Sequence, residues 1–319
     1  MRIIYLHHPY ETQEIPHGDV VLAMGFFGGV HLGHQAVIKC ARKEADQRKL
    51  PLAAMTFDHH PSVVFPKPGL NGLHYLTSVK RKAELMTSLG VDFLYVVSFT
   101  STFAHLTPQE FVDQYMVNLH AKAIVAGFDY TYGPREIADM THLPSYSKDR
   151  FDIVTVNEFL LDGQKVSSTK IRDDLKKSDV DHANKFLGYV YQTNGLVVHG
   201  EARGRTLGFP TANVLSDPWV RIPGIGIYAV RIKIGTKWWP AMASVGRNVT
   251  FGENRPITLE INIFDFDQEI YGEVVSVEWY HYVRGEIKFA NADKLIEQLK
   301  ADEKNIRQYF ANLNNGKSN

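Results

Sequence analysis

Glycines and histidines cluster where an apolar segment ends, in the stretch MGFFGGVHLGHQAVI that begins at position 24. Gly28 and Gly29 would let the backbone approach a phosphate closely. The rings of His31 and His34 offer N–H donors to the charge that builds on a phosphorus atom under attack. The spacing is equally compatible with a glycine turn followed by two histidines that cap a helix or face solvent.

A second segment, VSSTKIRDDL, adds groups of the same chemistry. Its hydroxyls at Ser167, Ser168 and Thr169 precede the cations Lys170 and Arg172 at the predicted start of a helix. Hydroxyls, helix N-terminal amides and a guanidinium together would hold the phosphates of a nucleotide. The alternative is an ordinary Ser/Thr helix cap with surface charges. That alternative is less attractive because both segments fall in one predicted α/β domain.

The first half alternates short apolar segments with amphipathic ones, which predicts the scaffold for these residues. VVLAMGFF, PLAAMTFD, VDFLYVVSF and AKAIVAGFD read as strands. The helix after the first strand has one apolar stripe, formed by Ala36, Val37, Cys40, Ala41 and Ala45. Strands that are apolar on both faces and alternate with helices predict a doubly wound, Rossmann-like α/β domain with a parallel sheet.

The pattern changes near Gly188. Five strand-like segments separated by glycine-containing turns predict an antiparallel barrel or sandwich. A terminal helix follows, with Leu295, Leu299, Ile306 and Phe310 on one face. The boundary falls within 181–191, which gives domains of 1–185 and 186–319.

Composition limits the possible partners. The 319 residues include 35 Lys plus Arg against 35 Asp plus Glu, so charge gives no case for a nucleic-acid or membrane partner. A single cysteine, Cys40, excludes an internal disulfide and suggests a reducing compartment. No long apolar run or leader is evident, and we expect a cytoplasmic enzyme or ligand-binding protein. The pairs at His7 and His59 lack zinc-ligand spacing and are interpreted as surface or turn histidines.

The combination of motifs resembles the bacterial bifunctional riboflavin kinase/FAD synthetase family. GFFGGVHLGH and SSTKIR are similar to its nucleotidyltransferase motifs, with TFDHHP and VAGFDYTYG between them. HGEARGRTLGFPTANV is similar to its flavokinase signature, and LEINIFDF, IYGE and VRGEIKF follow in the family's order. The resemblance covers nearly the whole chain and implies an α/β nucleotidyltransferase domain followed by an antiparallel β-barrel flavokinase domain with a C-terminal helix.

For the first domain, the resemblance implies that an FMN phosphate attacks the α-phosphorus of ATP to give FAD and pyrophosphate. His31 and His34 would stabilise the transferring group. Asp129 would contact nucleotide or flavin, or else merely cap a turn at a strand end. The implied ATP-binding residues are Gly25, Gly28, Gly29, Ser168, Thr169 and Arg172.

For the second domain, the resemblance implies phosphorylation of the riboflavin ribityl hydroxyl by ATP. Thr211 and Asn213 would bind Mg²⁺, and Glu260 would be the general base, although from the sequence alone it reads as an acid on a polar strand face. Arg284 would contact flavin or phosphate, or else pair with Glu286. The implied ATP-binding loop contains Gly204, Arg205, Gly208 and Pro210.

Several positions depart from the family pattern. Gly28 stands where the family has aspartate, His59 stands where proline is common, and 134–143 lacks the usual glycines. SVGRN and EINIFDF also replace more usual kinase sequences. Adenylylation is therefore the less secure activity. The alternatives are a divergent paralogue with one activity and a non-catalytic protein that responds to flavin or nucleotide. Self-association is left open.

Overall fold

The computed structural model describes residues 1–65, 74–200, 204, 207–247 and 257–316. Contacts divide the chain into two compact units. The first is Met1–Leu73 with Thr77–Ser168, and the second is His74–Leu76 with Thr169–Asn319. No helix in the described ranges is long and apolar enough to cross a bilayer.

The first unit is built on a six-stranded, wholly parallel sheet in the order β1-β4-β3-β2-β5-β6. Its strands are β1 (Arg2–Leu6), β2 (Val20–Met24), β3 (Leu52–Phe57), β4 (Phe93–Val97), β5 (Ala121–Gly127) and β6 (Asp152–Val156). Its helices are α1 (Leu32–Arg48), α2 (Val79–Ser88), α3 (Ser101–Ala104), α4 (Pro108–Val112) and α5 (Leu143–Ser147), and a hairpin follows from β7 (Leu160–Leu161) and β8 (Gln164–Lys165).

Both faces of this sheet are buried, as the apolar strands predict. Alternate residues of β2 enter different cores: Leu22 and Met24 join one cluster, and Val21 and Ala23 join the other. From β2 the chain builds outward through β3 and β4, then returns to add β5 on the other side of β2. Such a reversal opens a crevice at the carboxyl ends of the two strands. The doubly wound prediction is confirmed.

The sequence reading missed the two edge strands, β1 and β6. Both are only partly buried, so they lack the continuous apolar run that marks the central strands. On α1 the buried positions are Val37, Ile38, Ala41 and Ala45, whereas Ala36 and Cys40 of the predicted stripe are half-buried.

The second unit contains a closed antiparallel barrel in the order β10-β13-β12-β11-β14-β9. Its strands are β9 (Tyr191–Val198), β10 (Ala212–Ser216), β11 (Gly226–Ile234), β12 (Lys237–Gly246), β13 (Thr258–Ile263) and β14 (Val274–Arg284). Its helices are α6 (Ser168–Lys176), which begins in the first unit, α7 (Val180–Leu187) and α8 (Ala292–Asn314).

Helix α8 packs on the barrel through the predicted face. Ile306 and Phe310 are buried against Ile227 and Met242, and Leu299 packs at the edge of the same cluster. Of the two predicted alternatives, a barrel or a sandwich, the second unit forms the barrel, because its sheet closes on itself. Strand β10, which begins near the end of the GRTLGFPTANV segment and continues beyond it, was not predicted from the sequence. The compact units divide after residue 168, so the 185/186 boundary stays a prediction about where the catalytic domains end.

Candidate active sites

The loop between β2 and α1 has a strained backbone that turns two histidines toward the end of the sheet. Phe27 and Val30 adopt positive φ angles of 51° and 40°, and Gly29 has a φ of 77°. Left-handed conformations are costly for bulky side chains and persist only where surrounding contacts hold them. The loop is therefore held by its contacts in a conformation that its sequence alone would not favour.

His31 and His34 form a stacked pair at the start of α1. Their ring centroids lie 3.6 Å apart with planes 18° apart, and Phe27 meets the His34 ring edge-on. The Nδ1 of His31 accepts a long hydrogen bond of 3.4 Å from the His34 backbone N–H, so His31 also caps the helix. In neutral His31 this bond places the ring proton on Nε2.

The His34 ring is neutral near pH 7. Burial lowers the pKa of His34 well below its usual range, and the charges of His31 and Lys82 lower it further. Its Nδ1 is buried and has no hydrogen-bond partner among the described residues. A buried polar atom without a partner is costly, and an incoming phosphate oxygen could pair with this one if the nitrogen carries a proton.

Glycine at position 33 has a steric cause. A Cβ there would lie 3.3 Å from both Cε1 and Nδ1 of His31. Such contacts are tighter than ordinary van der Waals packing, so a side chain at position 33 would require the His31 ring to move by a few tenths of an ångström. The H-x-G-H spacing thus allows the two rings to stack.

A cleft of about 500 Å³ lies at the carboxyl ends of β2 and β5. Five of the residues predicted from sequence line it, namely Gly25, His31, His34, Asp129 and Ser168. The Ser168 hydroxyl donates to the Gly28 carbonyl at 2.7 Å, so the second motif meets the first. Gly28 and Gly29 are buried, and neither is among the described residues that line the cleft. The backbone N–H of Gly29 donates instead to Thr77 Oγ1 at 3.3 Å.

The remaining residues of the second motif continue along α6. Thr169 and Arg172 belong to the second compact unit, and the Arg172 Nη2 donates to the Thr169 hydroxyl at 3.4 Å. Burial lowers the pKa of Arg172, and the nearby Arg221 charge lowers it further. A partly desolvated guanidinium beside a second cation is a favourable partner for an anion.

Asp129 follows β5 and is largely exposed. Its carboxylate lies 3.7 Å from the Nζ of Lys165, which also pairs with Glu158. The turn at this strand end is closed by the backbone, through the Tyr130 N–H and the Gly127 carbonyl. Asp129 therefore lies on the wall of the cleft with a cation beside it.

Three residues that hold this site, Lys82, Thr56 and Thr77, were not predicted from the sequence as site residues. Lys82 of α2 is buried and donates to the Phe26 carbonyl and to the Thr56 hydroxyl. Thr77 accepts from Gly29, as described above. A signal did exist, because Lys82 lies on the helical face between Val79 and Met86, where a side chain is expected to be buried.

The barrel places the predicted kinase residues side by side. Glu260 lies on β13 between Leu259 and Ile261, which point into the barrel, so its carboxylate lies on the outer face. Asn213 of β10 is its cross-strand neighbour. The Thr211 hydroxyl donates to the Glu260 carboxylate at 3.4 Å. Thr211 and Asn213 thus form one oxygen-rich group with Glu260, which is distant from them in sequence.

Two cavities adjoin this group. One of about 510 Å³ is lined by Asn213 and Glu260, and one of about 380 Å³ is lined by Pro210 and Thr211. A Cβ at Gly204 would lie 2.2 Å from the Phe209 carbonyl oxygen, so only glycine fits there. Gly208 has a φ of 79°, another glycine conformation. Arg205 of the predicted ATP loop lies outside the described residues.

Arg284 is held by an acid that the sequence did not suggest. Its Nε and Nη2 both bind the carboxylate of Asp302 on α8, with a closest distance of 2.6 Å, and Nη1 donates to the Gly285 carbonyl. Of the two alternatives that the sequence left open, pairing with Glu286 is not what forms, because α8 brings the Asp302 carboxylate to the end of β14 from eighteen positions along the chain; the flavin or phosphate contact stays a prediction. Asp302 is 1% exposed.

Both halves of the chain match known families. The family model described as FAD synthetase matches residues 13–170, and the one described as riboflavin kinase matches 187–310. A protein of Listeria monocytogenes is 46% identical, covering 98% of this chain and 99% of its own length. One of Bacillus subtilis is 39% identical with the same coverage. Both relatives are named bifunctional riboflavin kinase/FMN adenylyltransferase.

A solved structure has the same two-part fold. It is a Streptococcus pneumoniae protein described as a macrolide-efflux protein, 37% identical, with a TM-score of 0.86 over 95% of this chain and 99% of its own. That description names an efflux protein, whereas the curated relatives are named as enzymes. The two family models agree with the curated relatives.

Proposed function

The chain belongs to the family of bifunctional riboflavin kinases/FMN adenylyltransferases, and from this premise we infer that it makes FMN and then FAD. The barrel transfers the γ-phosphoryl group of ATP to riboflavin. The α/β unit transfers the adenylyl group of a second ATP to FMN and releases pyrophosphate. The observation that carries this proposal is that each compact unit has its own cleft, lined by its own set of the expected residues.

Adenylyl transfer needs no protein nucleophile or base. A phosphate oxygen of FMN, already ionised, attacks the α-phosphorus, and the bond from that phosphorus to the bridging oxygen breaks as pyrophosphate leaves. The protein's contribution is to align the reactants and stabilise charge. His34 and His31 donate ring N–H groups to the transferring phosphoryl oxygens. A negative phosphate raises a neighbouring imidazole pKa, which strengthens these bonds as charge develops.

The surrounding residues bind the rest of the nucleotide. Ser168 lies on the cleft wall and would donate to a phosphate oxygen, and Thr169 and Arg172 would hold the outgoing pyrophosphate at the start of α6. Gly25 leaves space where the chain passes the cleft. Asp129 would accept a hydrogen bond from nucleotide or flavin.

Riboflavin phosphorylation needs a base, because a hydroxyl is a poor nucleophile. Glu260 accepts the proton of the ribityl hydroxyl as its oxygen attacks the γ-phosphorus, and ADP leaves. Since Glu260 lines the larger barrel cavity, the riboflavin hydroxyl must reach it there. Pro210 and Thr211 line the smaller one, which would take ATP phosphates together with the loop around Gly204 and Gly208. Arg284 supports this end of the barrel through Asp302.

The donor atoms near Glu260 suit Mg²⁺. Thr211 supplies a hydroxyl and Asn213 an amide oxygen, both adjacent to a carboxylate, and Mg²⁺ prefers such oxygens while keeping water and phosphate ligands. Among the described residues, no three His, Cys, Asp or Glu side chains come together as metal ligands. When bound, Mg²⁺ would neutralise charge on the phosphates of ATP.

One incubation tests the proposal. Purified full-length protein is given ATP and Mg²⁺ with either riboflavin or FMN, and the flavins are separated by chromatography. FMN and FAD from riboflavin, and FAD from FMN, are the expected products. One product alone would identify a monofunctional paralogue, and neither would favour a flavin- or nucleotide-responsive protein. The cytoplasmic location and self-association stay predictions.

A further inference from the structure

Lys82 is a buried cation that the two reactions above do not use. It is 3% exposed on α2. Its Nζ lies 2.8 Å from the Phe26 carbonyl oxygen and 2.7 Å from Thr56 Oγ1, and 4.5 Å from the centre of the Phe26 ring. The Thr56 hydroxyl also donates to the Phe26 carbonyl, at 2.7 Å. Lysine, threonine and carbonyl therefore form a closed triangle.

A lysine in this position is costly, so packing alone does not explain it. Desolvation lowers the pKa of Lys82 to about 7, with the Asp58 carboxylate opposing the change in part. An apolar side chain such as methionine would fill a similar volume without a desolvation cost. The Lys82 Nζ donates to two oxygens, the Phe26 carbonyl and the Thr56 hydroxyl, which indicates that the contact is maintained for its geometry.

The Phe26 carbonyl belongs to the loop that positions the stacked histidines. Phe27, the next residue, has the strained φ of 51°. Further along, Gly29 donates to Thr77, which lies just before α2. The segment from Thr77 to Lys82 therefore holds the loop at two points, one on each side of Phe27. Loss of either contact would let the loop relax toward an ordinary backbone conformation.

We propose that Lys82, acting through Phe26 and Thr56, is a positioning residue that fixes the His31–His34 loop for adenylyl transfer. This proposal rests on the function proposed for the α/β unit. Lys82 does not line the cleft formed by the described residues, so its effect reaches the reacting phosphate only through the loop.

The test compares Lys82→Met with Lys80→Met, a control that removes an exposed lysine from the same helix. For Lys82→Met we expect kcat for FAD formation from FMN to fall about 10²-fold, the loss associated with a 1 Å misplacement. The KM values for ATP and FMN should change by about threefold or less, because the binding groups stay in place. Riboflavin phosphorylation in the same preparation should match the control.

A merely structural role would give a different result. Equal kcat values for FAD formation in Lys82→Met and Lys80→Met would overturn the proposal, as would a parallel loss of both activities with a lowered melting temperature. If Lys82→Met does not fold, Thr56→Val decides. It removes the Thr56 hydroxyl, and with it two of the three hydrogen bonds of the triangle, with little change of volume, and it should lower kcat for FAD formation by about tenfold. An unchanged kcat in that variant would overturn the proposal.

A second measurement separates this proposal from the function on which it rests. If the wild-type protein forms no FAD, adenylyl transfer is refuted, and the ring ¹⁵N resonances of His31 and His34 then test the positioning. A shift or broadening of both in Lys82→Met, with His281 of the barrel unchanged, would support it. Unchanged His31 and His34 resonances would overturn it.

Discussion

The two sites of this chain act on ATP with different residue types, and the nucleophile explains the difference. In the α/β unit a phosphate attacks that is already ionised, so the site has neutral, stacked imidazoles and a helix start. In the barrel a hydroxyl attacks, so the site has a carboxylate able to take its proton. The proposed role of Glu260 as a base thus follows from the hydroxyl of riboflavin, which still carries a proton, whereas the phosphate of FMN does not.

The scaffolds supply these groups by different physical means. Helix α1 begins beside the end of β2, so its unpaired N–H groups face a ligand there. The described part of the barrel site uses strand alternation, which places Leu259 and Ile261 inside and Glu260 outside. In the α/β unit the conformation of a loop positions the histidines, whereas in the barrel the register of a strand positions Glu260.

The largest expected effect removes the base from the barrel. Glu260→Gln keeps the shape and the ability to bind Thr211 but cannot accept a proton, so FMN formation should fall by about 10²–10⁴-fold. Binding of riboflavin and FAD formation from FMN should persist. Glu297→Gln, at an exposed carboxylate on α8 of the same unit, is the matched control. Unchanged FMN production by Glu260→Gln would remove this residue from the mechanism.

The corresponding change in the α/β unit removes a donor. His34→Ala should lower FAD formation by roughly 10²–10³-fold, the cost of one lost donor to a developing oxyanion. Riboflavin phosphorylation should match that of the wild type, since Glu260 and its neighbours belong to the other compact unit. His105→Ala, an exposed histidine of the same unit, provides the control. If His34→Ala abolished both reactions in a protein that unfolds cooperatively, the two-site division would fail.

The sequence predicts the central strands of the parallel sheet better than its edge strands. It also predicts the residues of the motifs better than the residues that hold those motifs in place. Strands β2 to β5 are recognisable because burial on both faces requires continuous apolar residues, whereas β1 and β6 are half-exposed and read as loops. His34 and Glu260 belong to spaced motifs. Lys82 belongs to no motif, and its position on the apolar face of α2 predicts burial but not the Phe26 and Thr56 oxygens that it contacts.

Arg284 illustrates the same limit at longer range. Its neighbour in sequence, Glu286, was the natural candidate for a partner, but α8 returns along the barrel and brings Asp302 to the guanidinium. Tertiary pairs of this kind depend on topology, which local sequence does not encode.

The two units also stabilise buried charge differently, and the pH dependence of the free energy of unfolding should show the difference. The barrel pairs Arg284 with Asp302, whereas Lys82 meets neutral oxygens and burial lowers its pKa to about 7. The pKa of Lys82 is near 10.5 in the unfolded chain and about 7 in the folded protein, so between pH 10.5 and pH 7 only the unfolded chain binds this proton. The free energy of unfolding therefore falls as the pH falls through this range, and it levels off below pH 7.

The measurement is urea unfolding, followed by circular dichroism, at pH 9 and pH 7. Relative to Lys82→Met, the wild type should lose about 2 kcal/mol of unfolding free energy between these two pH values. Lys80→Met should follow the wild type. If the Lys82→Met and wild-type values differed by the same amount at both pH values, Lys82 would be charged in the folded protein.

The smallest effect concerns the position where this chain departs from its family. A Cβ at Gly28 would lie 3.2 Å from the Phe26 ring and 3.4 Å from the Ser168 hydroxyl, so Gly28→Asp requires the ring to shift by a few tenths of an ångström. Ser168 could then donate to the new carboxylate. We expect FAD formation to change by about threefold or less, well under the 1.4 kcal/mol that corresponds to tenfold.

Gly28→Asn, of the same size but uncharged, separates the two possible causes of a larger loss. Equal losses in both variants would mean that the Phe26 ring cannot move without disturbing the triangle that its own carbonyl forms with Lys82 and Thr56. A loss confined to Gly28→Asp would mean that a negative charge opposes the phosphates, so that this chain has adapted its cleft to glycine. Retained activity in both would show that the loop conformation, held from α2, does not depend on the side chain at position 28.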